Sequence, residues 1–138
     1  MHDDLIDAVT DALSATAVTW AALLGTDAGL LLDERIRQAA PRIAAQLHTR
    51  GEQAGTAADL LDLLGHPGDA DPGWWATVLG QTVAHALDDP GVSRAQAAQI
   101  LGVSPGTVAQ LTHRRALARV AGGRVSLISV LDRLAARR

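Results

Sequence analysis

The chain contains no cysteine, no phenylalanine, no tyrosine and no lysine. Without cysteine there is neither a disulfide scaffold nor a thiolate metal site, which fits a reducing compartment. With phenylalanine and tyrosine missing, the core has to be aliphatic, and Trp20, Trp74 and Trp75 are its only large aromatics. No apolar run approaches the ~18 residues needed to span a bilayer. The opening Met1-His2-Asp3-Asp4 lacks the basic start and apolar stretch of a secretion signal. A soluble cytoplasmic protein with no membrane partner is expected. Catalytic signatures are missing too: no phosphate-binding glycine loop, nucleophile elbow or paired catalytic carboxylates is visible, so an enzyme is not expected. His66, Asp69 and Asp71 lie close in sequence, but the stretch lacks the third carboxylate and distal glutamate of a calcium loop. His48 and His85 have no partner at ligand spacing. No metal and no cofactor is expected.

What is present is length and apolar content for one ordinary domain or two small ones, with 138 residues of which 48% are hydrophobic. The net charge of −3 conceals a division. Residues 1–90 hold fourteen acids and four arginines, whereas residues 91–138 hold one acid, Asp132, and eight arginines. Such asymmetry is a hint of nucleic-acid contact at the basic end, although a charged face is also what any solvated surface looks like.

The fold class expected is mainly α: an all-helical acidic domain over residues 1–90 and a second domain over 91–138. In the first, Ile6, Val9, Leu13, Ala17, Trp20 and Leu24 recur at helical steps and predict a helix over 3–24. A second helix is expected over 28–40, broken or restarted at Pro41, and a third segment over 41–50. Thr56 reads as the N-cap of a short helix to Leu64. Residues 65–73 read as a loop. A helix over 72–88 then places Trp75, Val78, Leu79, Val83, Ala86 and Leu87 inward, with Trp74 on its flank as either an interface or a core residue. Asp88-Asp89-Pro90-Gly91 marks the expected domain boundary.

The informative stretch is VSRAQAAQILGVSPGTVAQLTH, residues 92–113. Ser93 caps a two-turn helix whose apolar set is Ala97, Ala98, Ile100 and Leu101. Gly102 stands where the helix end needs left-handed backbone. Val103 plugs the corner, Ser104 caps a second helix and Pro105 takes its first position. Val108 and Leu111 give that helix an inward face. A small residue at the crossing (Ala98), a glycine at the corner and apolar residues from both sides are what a helix-turn-helix needs. A purely structural helical hairpin could share two or three of these features. Residues 116–120 and 124–127 flank Ala121-Gly122-Gly123 and read as a hairpin, and Ser129 as the cap of a closing helix containing Val130, Leu131 and Leu134.

The block AAQILGVSPGTVAQLTHRRALARVAGGRVSLISVLDRL resembles the excisionase-type, MerR-related winged helix-turn-helix family over residues 92–136, and over none of the first 90. It departs from the MerR regulators in having no long C-terminal coiled coil, so any dimerisation must use another part of the chain. The resemblance implies that the helix 105–113 enters the major groove. Ser104, Gly106, Thr107, Gln110, His113, Arg114 and Arg115 then face DNA. Gln110 is the expected base reader, through adenine. Thr107 contacts a thymine methyl or a phosphate, and Arg114 is a guanine reader or a phosphate clamp. Arg94 reaches a phosphate, and Arg119 and Arg124 on the wing reach backbone or minor groove.

The function expected is a sequence-specific double-stranded DNA-binding regulator, repressor-like and nucleoid-associated when bound, acting as a homodimer through the helical N-terminal region. An architectural DNA-bending accessory factor of the excisionase kind and an antitoxin-like module that binds a protein partner through its acidic half remain open beside it.

Overall fold

The computed structural model describes residues 2–137. It is mainly helical, with one small two-stranded sheet among the described residues. No helix among them is long and apolar enough to cross a membrane. The chain divides into two compact units, Met1–Gly65 and His66–Arg138.

The first unit is a hairpin of two long helices, α1 (His2–Leu24) and α2 (Thr26–Gln46), with α3 (Gln53–Leu64) packed against both. Leu5, Val9, Leu13 and Ala17 recur every fourth residue and are the buried stripe of α1. They pack with Ala40, Ala44 and Leu47 from the far end of α2 and its exit, and with Ala57, Leu60 and Leu61 of α3. Trp20 and Leu24, expected on the inner face, are exposed, and Ile6 is only half-buried. Pro41 does not interrupt α2 but lies inside it. Its missing amide leaves the carbonyl of Arg37 unserved, and because Arg37 is exposed, water can take that role. Thr56 is not a cap: it lies within α3, and its hydroxyl contacts Gln46 Oε1 at 3.5 Å.

The second unit begins with two short pieces in what the sequence presents as a loop, α4 (Pro67–Ala70) and a 3-10 turn (Pro72–Ala76). The helix expected over 72–88 is therefore split. Thr77 is extended, its hydroxyl accepts from the Gly80 amide at 3.1 Å, and it starts α5 (Val78–Ala86). Gly80 has no room for a side chain because the backbone of Trp74 and Trp75 folds back against it. Val78, expected inward, is exposed, while Trp75, Leu79, Val83 and Ala86 are buried. Trp74 is half-buried and meets Trp75 edge-to-face at 5.1 Å.

The chain then runs through β1 (Gly91–Val92), α6 (Arg94–Leu101), α7 (Pro105–His113), a second 3-10 turn (Ala121–Gly123), β2 (Val125–Ser126) and α8 (Leu127–Ala136). The division between units falls after Gly65, not at Pro90: the 3-10 turn of Trp74 and Trp75 packs on α6, and α5 packs on α8. This changes the charge balance. The second unit holds eight arginines and five acids, a net +3, and the first holds four arginines and ten acids, a net −6.

The connection from α5 to β1 is held by side-chain chemistry. Asp88 and Asp89 both adopt left-handed backbone, with φ of 61° and 62°. Aspartate tolerates that region better than most residues. The Asp89 carboxylate accepts the Ser126 hydroxyl at 2.6 Å and the Ile128 amide at 3.0 Å, so it caps α8 from 39 residues away. Ser126, itself buried, is the N-cap of α8, and its Oγ accepts from the Ser129 amide at 3.1 Å. Ser129 is thus inside the helix it was expected to cap. The Ser129 hydroxyl accepts the Ala118 amide at 3.1 Å and ties the segment after α7 to α8.

The expected hairpin is reduced to one bridge, Arg119 with Val125, closed by Val120 N to Arg124 O and Ser126 N to Ala118 O, both 2.9 Å. The continuous pairing of β2 is antiparallel to β1, with Gly91 opposite Ser126 and Val92 opposite Val125. Two-residue strands carry no alternation, so the sequence offers no sign of β1.

Because a hydrogen bond to a carboxylate contributes ~2 kcal/mol, Asp89→Ala should lower unfolding stability by about that amount or more in denaturant titration of the full chain. Ser126→Ala should cost a similar amount, and the double variant should cost less than the sum of the two. Strictly additive losses would show that the pair does not act as one clasp.

Candidate nucleic-acid interface

The corner between α6 and α7 is built locally. Ser93 and Gln96 form a reciprocal capping box, with Ser93 Oγ accepting the Gln96 amide at 3.1 Å and Gln96 Oε1 accepting the Ser93 amide at 2.9 Å. Gly102 ends α6 with φ 68° and ψ 34°, the left-handed geometry that glycine adopts at least cost. The Val103 amide returns to the Ala98 carbonyl at 3.0 Å. From the other end of the unit, the Arg137 guanidinium donates to the Leu101 carbonyl at 2.7 Å, taking one of the unserved acceptors at the end of α6. Ala97, Ala98, Leu101 and Val108 are buried in the angle between the helices.

Val108 is fully buried, and this orients α7. On the opposite face Gly106, Gln110, His113 and Arg114 are exposed and fall within one stripe of the helix. Thr107 is half-buried, and Leu111 is half-buried on the inward side. Ser104 caps α7 by accepting the Thr107 amide at 3.1 Å, and the two hydroxyls lie 2.9 Å apart. Both hydroxyls are thus engaged in the cap, and one O–H donor, the remaining lone pairs and the Thr107 methyl are left for a ligand.

The arginines gather in two adjoining clefts. One, of about 330 Å³, is lined by Ser93 and Arg94 at the start of α6, Thr112 on α7, and Arg119, Gly123, Arg124 and Val125 around the hairpin bridge. The other, of about 500 Å³, is lined by Thr112, His113, Arg115, Leu117, Ala118 and Arg119. They share Thr112 and Arg119, so the basic groups form one strip running off the end of α7. No carboxylate lines either cleft, and among the described residues no ion pair engages Arg94, Arg114, Arg115, Arg119 or Arg124. Unpaired guanidiniums at this density repel one another, a cost that an anion would remove.

Of the ten residues expected at the interface, the structure brings Arg94, His113, Arg115, Arg119 and Arg124 into this strip. Ser104, Gly106, Thr107, Gln110 and Arg114 lie outside the two clefts on α7 and its cap. Ser93, Thr112 and Gly123 line the clefts and were not expected to. Thr112 follows Val108 by one turn, a spacing that reads as inward-facing, and its hydroxyl does return to the Val108 carbonyl at 2.8 Å.

The chain matches no family model, no curated protein and no solved structure. The site therefore has to be read from its own geometry.

One backbone detail stands out. Arg115 occupies left-handed backbone with φ 62°, just past the end of α7, where the Ala116 amide closes back on the Leu111 carbonyl at 2.9 Å. Glycine is the usual residue at that position, and a long side chain there costs ~1 kcal/mol. Strain retained by a residue with no internal partner makes Arg115 a candidate for a functional role. Arg115→Gly should therefore raise stability by about 1 kcal/mol in thermal unfolding while weakening binding to a duplex several-fold. A variant that gains stability and keeps full affinity would remove Arg115 from the interface.

Proposed function

We propose that the second unit is a winged helix-turn-helix that binds double-stranded DNA in a sequence-specific manner, as in a transcription regulator. The observation that carries this reading is the unpaired basic strip of Arg94, Arg119, Arg124, His113 and Arg115, continuous with the exposed face of α7. Phosphate contacts supply affinity and register, whereas base edges supply sequence. The two groups of residues divide along that line. Arg94, Arg119 and Arg124 sit on the start of α6 and on the hairpin, around one cleft beside α7, where they clamp the backbone. Gln110, with Gly106 one turn before it and His113 almost one turn after, is the polar side chain presented at the middle of the helix.

Gly106 supports this orientation. A side chain built there would meet only Ser104 Oγ, at 3.8 Å, so no internal packing requires glycine. Its absence of bulk allows the first turn of α7 to approach a surface closely, as a helix entering the ~12 Å major groove must. The capping box of α6 serves the third amide of that helix and leaves the first two amides, beside Arg94, directed at an anion.

Binding to a specific duplex should weaken steeply with salt. Five phosphate contacts give a slope of about −4.5 in log affinity against log salt, a loss of about 500-fold between about 50 and 200 mM. Arg94→Ala should lower affinity for all sequences alike and reduce that slope by about one, whereas Gln110→Ala should change the preferred site selected from a random duplex pool and leave the slope alone. Unchanged preference in Gln110→Ala together with an unchanged slope in Arg94→Ala would overturn this placement of the module. Tandem bound sites with bending of the duplex would instead favour an architectural role.

A further inference from the structure

The first unit leaves one end of its hairpin uncovered. α3 and every buried side chain of this unit serve the end where α1 begins and α2 finishes, and from Val18 to Ala39 no residue is buried. The uncovered stretch is nevertheless apolar. Residues 12–26 carry no charge, and across 12–32 the only charged residue is Asp27. The two helices touch there through small residues, Ala21 against Gly29, which leaves the larger side chains pointing away from the contact. Val18, Trp20, Leu23, Leu24, Leu30 and Leu31 are between 51% (Trp20) and 76% (Leu23) exposed. A helix that is apolar around much of its circumference belongs in an interior.

We propose that this tip is the contact surface for a second copy of the chain and makes the protein a homodimer. The area agrees: the six side chains expose on the order of 700 Å², close to the ~800 Å² per partner of a stable interface. The chemistry agrees as well. An apolar patch whose one charge is Asp27 can be complementary to itself, which is what a two-fold contact between identical chains requires. A bilayer surface fits less well, because the sole charge at the tip is acidic and the first basic residue after it is Arg35, so nothing there would hold an anionic headgroup. The inference rests on the first unit alone and is independent of the DNA reading.

Sedimentation of the full chain tests it, with circular dichroism as the control for folding. The native chain should sediment at twice its 14.3 kDa mass. Leu23→Glu with Leu31→Glu should keep the helical signal, since both side chains are exposed, and raise the dimer dissociation constant roughly 30-fold or more. Trp20→Ala, a milder change, should give a smaller rise in the same direction. A native chain still monomeric at about 100 μM, or a dimer that both variants leave intact, overturns the proposal. A monomer that floats with phosphatidylserine vesicles, and ceases to when Leu23 and Leu31 become glutamate, overturns it in favour of a membrane surface.

Discussion

The second unit depends on the Asp89 carboxylate. It sits at a left-handed turn before a proline, where backbone preference alone favours extended geometry. Its bonds to Ser126 and Ile128 fix the start of α8, the pairing of β2 with β1 and the exit from α5 at one point. Because Ser126 both caps α8 and occupies β2, the strand and helix share one polar group that is buried and fully served. A buried polar group of this kind is costly when half-satisfied and specific when complete. That specificity sets the register of short strands too small to set their own.

From that clasp the geometry passes to the arginines. The segment carrying Arg119 is tethered to α8 through Ala118 and Ser129, and its bridge to Val125 sets it beside Arg94 at the start of α6. α8 returns the favour at its far end, where Arg137 meets the carbonyl of Leu101 beside the Gly102 corner. Five arginines at or beside the end of α7 are left with no carboxylate partner among the described residues. The acids nearest in sequence are committed elsewhere or stand apart from the clefts. Asp89 is used as a cap, and Asp132 is an exposed residue of α8. The arrangement stores positive potential on one surface and keeps the counter-charge out of it.

The two units balance apolar surface differently. In the second, the aliphatic core closes around Val83, Val108, Leu117, Leu127 and Val130, all essentially inaccessible to solvent. In the first, only half of a long hairpin is covered by α3, and side chains that in a closed bundle would be interior stand in solvent. The hydrophobic effect disfavours that exposure in proportion to its area, and this is the physical ground on which the proposed second copy would bind there.

Much of this protein could be read from local rules. The helix over α1, the caps at Ser93 and Ser104, the glycine corner at 102 and the inward side of α7 follow from short-range sterics and hydrogen bonding, which neighbouring residues specify. The exposure of Gly106, Gln110, His113 and Arg114 follows in turn from the burial of Val108 on the other face. Tertiary structure decided what depends on distant partners. It carried α2 through Pro41, split the expected helix of residues 72–88 at Thr77, moved the cap of α8 from Ser129 to Ser126, and paired β2 with an unsuspected β1. It also moved the division of the chain from Pro90 to Gly65 and left Trp20 and Leu24 outside the core. The common reason is range: a cap or a corner is settled within four residues, whereas the worth of an aspartate or a leucine depends on which chain segment lies against it.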